Sequence, residues 1–155
     1  MKLIAIVDEN WGVGFQGKQP YVIPSDRKRF RMYTMGNKLI CGRRTYEVMG
    51  PLGGRELYVL TSGELEPAEG VHAVHSLANL PRGDDVMVIG GGSVFEQLLP
   101  ECTFAHITKV MHTAVCDSYC PSLDTSPEWL KVSTGRVREY EGIRYLYATY
   151  ARRRL

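Results

Sequence analysis

The chain has 155 residues, 44% of them hydrophobic and 23% charged, with a formal net charge of +2. That is the length of one domain, spanning 1–155, with room for a proper hydrophobic core, and so small a charge gives no argument for a nucleic-acid or anionic-membrane partner. No apolar run approaches membrane-spanning length and Leu3–Val7 is too short for a signal sequence, so a cytoplasmic protein is expected.

Lys2–Val7 reads as a central strand, closed by the turn formers Asp8-Glu9-Asn10. From Trp11 to Gln19, Trp11, Val13 and Phe15 are interleaved with Gly12, Gly14 and Gly17 without periodicity. That pattern fits a flap over a site or an ordinary surface loop, although leaving three large apolar groups exposed without purpose would be unusual. Pro24-Ser25-Asp26 reads as a helix entrance with Ser25 or Asp26 as the cap, and Phe30 lies four residues past Asp26 on the same face. Asp26 is then either a capping carboxylate or part of a site wall.

Lys38–Cys41 is a second strand, after which Gly42 leads into a helix with Arg43 and Arg44 in its first turn. Basic residues oppose the helix dipole at that end, and a bound phosphate would give them a reason. Gly50–Arg55 is a turn-rich loop, and Leu57–Ser62 a third strand with the hydroxyls of Thr61 and Ser62 at its carboxyl end. The polar stretch from Gly63 to Asp85 holds a weak strand at Val71–Val74 and a short helix at Ser76–Leu80. Val86–Ile89 has the continuous apolar character of a strand buried on both faces. Gly90-Gly91-Gly92 follow it, and Val94, Phe95, Leu98 and Leu99 then recur at helical spacing. A strand, a glycine turn and a helix either cradle a phosphate or simply make a tight turn.

Phe104–Val110 is a further strand, and Cys116–Trp129 a loop rich in Ser, Asp and Pro. Lys131–Tyr140 and Ile143–Tyr150 form an antiparallel pair around Glu141-Gly142. Cys41, Cys102, Cys116 and Cys120 permit two disulfides by count, but a cytoplasmic setting favours free thiols. With His106 and His112 they match no zinc spacing, so no metal is expected. The sum is an α/β fold: a mostly parallel central sheet with helical crossovers and an antiparallel C-terminal strand pair. Ligands of such sheets bind beyond the carboxyl ends of the strands. Arg43, Arg44, Thr61, Ser62 and Gly90–Gly92 therefore share one rim, suited to a nucleotide cofactor with more than one phosphate. No acidic ribose partner follows the glycines, unlike the Rossmann fingerprint.

Taken in order and at matching spacing, Pro20–Asp26, Gly42–Thr45, Pro51–Arg55 and Val88–Gly92 resemble the dihydrofolate reductase family. The likeness runs nearly end to end, with Thr108 and the terminal strand pair adding to it. It implies an oxidoreductase that reduces 7,8-dihydrofolate with NADPH, acts as a monomer and binds antifolate inhibitors. Asp26 matches the family's single active-site acid, Thr108 its hydroxyl partner, and Tyr21 the residue that helps hold a water near the pterin. Ile4, Ala5 and Ile89 match the positions that pack the pterin and nicotinamide. Phe30, Met49 and Leu52 match those that grip the benzoyl ring, and Arg55 the one that pairs with the substrate's glutamate, with Arg27 beside the acid. On the cofactor side Arg43, Arg44, Thr61 and Ser62 match the 2′-phosphate region. Thr45, Gly91, Gly92, Ser93 and Val94 match the pyrophosphate region, Gly42, Gly90 and Phe95 are further cofactor-side positions, and Val13 and Gly14 belong to the flap. The family's peptide bond between Gly90 and Gly91 is cis.

The chain also departs from the family pattern. Tyr21 replaces a tryptophan, Gln19 and Arg27 replace apolar residues, Phe95 replaces a tyrosine, and Gly53 replaces a proline. The loop before Pro51 is one residue short. Two other functions share this fold: the pyrimidine reductase of riboflavin synthesis, which lacks the helix entrance ending in Asp26, and an inactive dinucleotide-binding relative.

Overall fold

The structure, a computed structural model, describes residues 1–154. Eleven strands and three α-helices follow one another as β1 (Lys2–Val7), β2 (Gly12–Gly14), α1 (Pro24–Thr34), β3 (Lys38–Gly42), α2 (Arg43–Met49), β4 (Glu56–Leu60) and β5 (Val71–Val74). Then come β6 (Val86–Gly90), α3 (Gly92–Leu98), β7 (Phe104–Val110), β8 (Ser118–Tyr119), β9 (Trp129–Thr134), β10 (Arg138–Tyr140) and β11 (Ile143–Arg152). The main sheet runs in the order β10-β11-β7-β1-β6-β3-β4-β5, with β9 also on the free side of β11. From β7 to β5 every pairing is parallel, and β11 enters antiparallel to β7.

Those parallel strands carry the near-continuous apolar runs that burial on both faces demands. Leu3, Leu39, Ile40, Leu57, Val59, Val86 and Val88 are all fully enclosed. Fully burying one such side chain is worth about 1.5–3 kcal/mol, so this central layer is the rigid frame on which the strand ends are held. The register aligns those ends: Gly42 lies opposite Leu60, and Cys41 opposite Gly90.

Four local readings are corrected. Helix α1 is entered through Ile23, with Pro24 at its first position, and neither Ser25 nor Asp26 caps it. Proline's fixed φ is pre-organised there, so the helix begins early and leaves the Asp26 side chain free to turn inward. Trp11 is buried edge-on against Tyr150, 6.0 Å between centroids, whereas Phe15 is exposed. The expected strand Lys131–Tyr140 is two pieces, β9 and β10, because Gly135 donates to the Tyr147 carbonyl and the register of β11 shifts at Thr149/Tyr150. The stretch Cys116–Trp129 contains β8, too short to show alternation in sequence, which pairs with β2.

All four cysteines are free thiols, with Cys41, Cys102 and Cys120 buried. Among the described residues no helix is long and apolar enough to cross a membrane.

Candidate active site

A cleft of about 1350 Å³ opens along the carboxyl ends of β1, β3, β4 and β6. One end is walled by α1. Asp26, on its first turn, is half-buried and accepts a hydrogen bond on Oδ1 from the Thr108 hydroxyl of β7. Burial pushes the Asp26 carboxyl above the usual carboxylate range, opposed by the Thr108 bond and the Arg29 guanidinium. A carboxyl so poised can hold a proton at a pH where an exposed aspartate cannot. Phe30, Met49, Leu52, Ile4 and Ile89 pack on the cluster of Leu39, Cys41, Leu57, Val59 and Met87, and all five also line the cleft. They form an apolar stretch of the same cleft that Asp26 lines.

Arg55 stands at the outer end of that stretch. Its Nε donates to the Gly53 carbonyl at 3.0 Å and one terminal nitrogen to Thr34 Oγ1 at 3.1 Å, which aims the fork while leaving donors over. Arg31 lines the same end, and burial together with the Arg31 charge pulls the Arg55 pKa down from its ordinary value. Among the described residues neither cation is paired with a carboxylate, so the two together can receive an anionic group.

At the other end β6 turns into α3. The peptide bond between Gly90 and Gly91 is cis, and Gly90 has φ +124°. A Cβ on Gly91 would lie 3.4 Å from Thr45 Oγ1, and one on Gly92 only 2.4 Å from the Tyr119 carbonyl oxygen. The glycines thus serve both a close approach to ligand space and the seating of α3 on β8, where Ser118 Oγ accepts from the Gly92 N–H at 2.9 Å. Arg43 and Arg44 open α2 beside this turn. Arg43 is committed within the protein, to Glu47 at 2.8 Å, to Thr61 Oγ1 at 3.2 Å and to the Glu64 carbonyl at 3.0 Å. Arg44 is 70% exposed with only a distant partner in Asp117, so it is the freer of the two for a ligand.

Above the cleft, Phe15 and Lys18 exchange backbone hydrogen bonds around Gln16 and Gly17, both at positive φ. The Gly17 backbone lies against Arg44 and Val48 of α2. The base of this hairpin is fastened by Asp8, which is 2% exposed: Oδ1 accepts from Asn10 and Gly12, and Oδ2 from Ala114.

Of the residues expected at a site, Ile4, Ala5, Val13, Gly14, Asp26, Arg27, Phe30, Gly42–Thr45, Met49, Leu52, Arg55, Ile89–Phe95 and Thr108 all line the cleft. Tyr21, Thr61 and Ser62 do not. Tyr21 packs on the Ile6, Ile23, Val110 and Tyr145 cluster, its ring 6.4 Å from that of His112. Thr61 is buried and spent on Arg43 and on the Gly63 N–H, while Ser62 is exposed. The sequence reading missed Arg29, Arg31, His106 and Ser118, which also line the cleft. His106 figured in the sequence only within the zinc spacing that did not match; burial, Arg29 and Lys2 push its imidazole down to about 4.

The residues present fit a dinucleotide cofactor. The Gly90–Gly92 backbone offers a cradle that a Cβ would crowd, Thr45 and Ser93 supply hydroxyls, Arg44 a largely exposed cation, and Ala5 and Ile89 an apolar seat.

Residues 1–152 match the model of the family described as dihydrofolate reductase. A dihydrofolate reductase from Neisseria meningitidis is 31% identical over 157 residues, covering 97% of this chain and 96% of its own length. A bifunctional dihydrofolate reductase-thymidylate synthase from Glycine max is 32% identical over 97% of this chain, which spans 33% of that relative. Among solved structures, a dihydrofolate reductase from Enterococcus faecalis complexed with NADP(H) and RAB-propyl superposes with a TM-score of 0.83. It is 38% identical, covering 97% of this chain and 95% of that one.

Proposed function

Because this chain belongs to the dihydrofolate reductase family, we propose that it reduces 7,8-dihydrofolate to 5,6,7,8-tetrahydrofolate with NADPH. The observation that carries this is a half-buried acid, Asp26, bonded to Thr108 at the end of an apolar channel whose far end holds Arg55. NADPH, when bound, supplies the hydride that reduces the ring; a proton must also reach N5.

Asp26 grips the pterin through its 2-amino group and the adjacent ring nitrogen, two donors in the spacing of one carboxylate. Thr108 fixes the rotamer of that carboxylate and takes up one of its lone pairs. The raised proton affinity of Asp26 favours a proton near the pterin at working pH, which assists protonation of N5. Phe30, Met49 and Leu52 hold the benzoyl ring, and Arg55 pairs with the glutamate carboxylate. Arg44, Thr45, Ser93 and the Gly90–Gly92 backbone hold the cofactor's phosphates. The Phe15–Lys18 hairpin covers the site and excludes water from the transfer. Antifolates carrying the same amidine-like edge occupy the Asp26 end.

The test is NADPH oxidation by the purified chain with and without dihydrofolate. Oxidation that requires dihydrofolate and yields tetrahydrofolate supports the reading. A protein that binds NADPH but oxidises none with dihydrofolate present contradicts it.

A further inference from the structure

Arg29 lies one helical turn beyond Asp26 on α1, on the same face, and lines the cleft. Its guanidinium carbon sits 3.8 Å above the ring centre of Tyr147 and 5.1 Å from that of Tyr33. Tyr147 is the direct cross-strand neighbour of Thr108, the hydroxyl that bonds Asp26. Among the described residues Arg29 forms no ion pair with any carboxylate. An arginine side chain left loose would spread its charge into solvent; stacking on aromatic faces holds it, and such contacts are worth about 0.5–2 kcal/mol each.

We propose that Arg29 is a positioning residue for the reaction: a cation clamped on the Tyr147 and Tyr33 rings one helical turn from Asp26, whose fixed charge sets the pH range in which that acid works. The kinetic half of the inference rests on the catalytic reading of Asp26 above.

The other groups around the acid do not compete for this role. From β7, Thr108 donates a neutral hydrogen bond, and His106, held down to about 4, is uncharged near neutrality. From β11, the Tyr145 hydroxyl is engaged with Ser25 at 2.6 Å, and the Tyr147 phenol is pushed up by its burial, so it too is neutral. From β10, Arg138 reaches the Tyr147 ring only at 5.3 Å. On α1 itself, Arg27 is exposed and Arg31 lies at the Arg55 end. The field at Asp26 accords with this, since Arg29 is the cation that opposes the effect of burial there.

The test compares wild type with Arg29→Met, which keeps the aliphatic stem, and Arg29→Lys, which keeps the charge. Two readouts are needed: the ¹³C NMR titration of the Asp26 carboxyl in the free protein, and the pH profile of kcat/KM for dihydrofolate. In Arg29→Met the carboxyl titrates at higher pH, and the alkaline fall in rate moves the same way. On that limb the variant-to-wild-type ratio of kcat/KM is then at least about twofold above its value on the acid side. Arg29→Lys restores most of both. Should Arg29→Met fail to fold, Arg29→Gln carries the same comparison. A carboxyl that titrates identically in wild type and neutral variants overturns the inference and leaves the role of Asp26 untouched. A carboxyl that moves while the rate profile stands still upholds the Arg29–Asp26 coupling and refutes the catalytic role of Asp26.

Discussion

Gly92→Ala probes the joint between the glycine turn and the flap. The new Cβ would stand 2.4 Å from the Tyr119 carbonyl oxygen, 2.6 Å from Ser118 Oγ and 2.7 Å from the Tyr119 nitrogen. Two of these are backbone atoms, which cannot rotate aside, so α3 and β8 must part. Overpacking of this kind costs about 1–3 kcal/mol, and the weakened Gly92–Ser118 hydrogen bond about 0.5–1.5 kcal/mol more. Gly92 is the first residue of α3, where alanine's better helix propensity returns little, so the net loss is about 1.5–4.5 kcal/mol. In a chain of this size that lowers Tm by about 3–18 °C. Because β8 is the pairing partner of β2, its displacement also loosens the flap, and NADPH binding falls by about tenfold or more. Thermal unfolding and fluorescence titration with NADPH read the two effects. A variant with Tm within about 1 °C of wild type and unchanged affinity would refute the close seating of α3 on β8.

Arg55→Lys keeps the charge but loses the planar fork, so KM for dihydrofolate rises about tenfold or more while kcat changes much less, as steady-state kinetics will show. Thr108→Val removes the hydroxyl that stabilises the Asp26 anion. The carboxyl then titrates at higher pH in an NMR titration, and kcat/KM at neutral pH drops about tenfold as the acid loses its fixed rotamer. Stability should respond to Asp26→Asn in the opposite sense to activity. The folded-state pKa of Asp26 is raised, so its favourable contribution is complete below the ordinary carboxylate value of 3.8 and is lost as pH rises through the folded value. The asparagine variant is therefore the more stable protein at neutral pH, and urea midpoints of the two converge as the pH falls below 3.8.

What could be read in the sequence was whatever depends on local pattern. The apolar runs of β1, β3, β4 and β6 announce doubly buried strands, and the motifs around Asp26, Gly42 and Gly90 place the cleft at their ends. What could not be read depends on partners far away in the chain. Ser118 meets Gly92 across 26 residues, and Asp8 reaches Ala114 across 106, so neither pairing leaves a periodic trace. Thr61 looked available because it ends a strand, yet Arg43 turns back and occupies it. Tyr21 was placed by position alone, and its ring packs toward His112 rather than into the cleft. Arg29 reads in sequence as one more cation of a basic helix; only the Tyr147 ring, on the last strand, singles it out.

The central claim is that the Asp26 carboxyl carries the chemistry. It is tested most directly by kcat/KM for dihydrofolate in Asp26→Asn, measured across the pH range. The account predicts a loss of about 10²-fold or more near neutrality, easing toward acid pH, where protons from solution replace the missing acid. Activity within about threefold of wild type at neutral pH would contradict it.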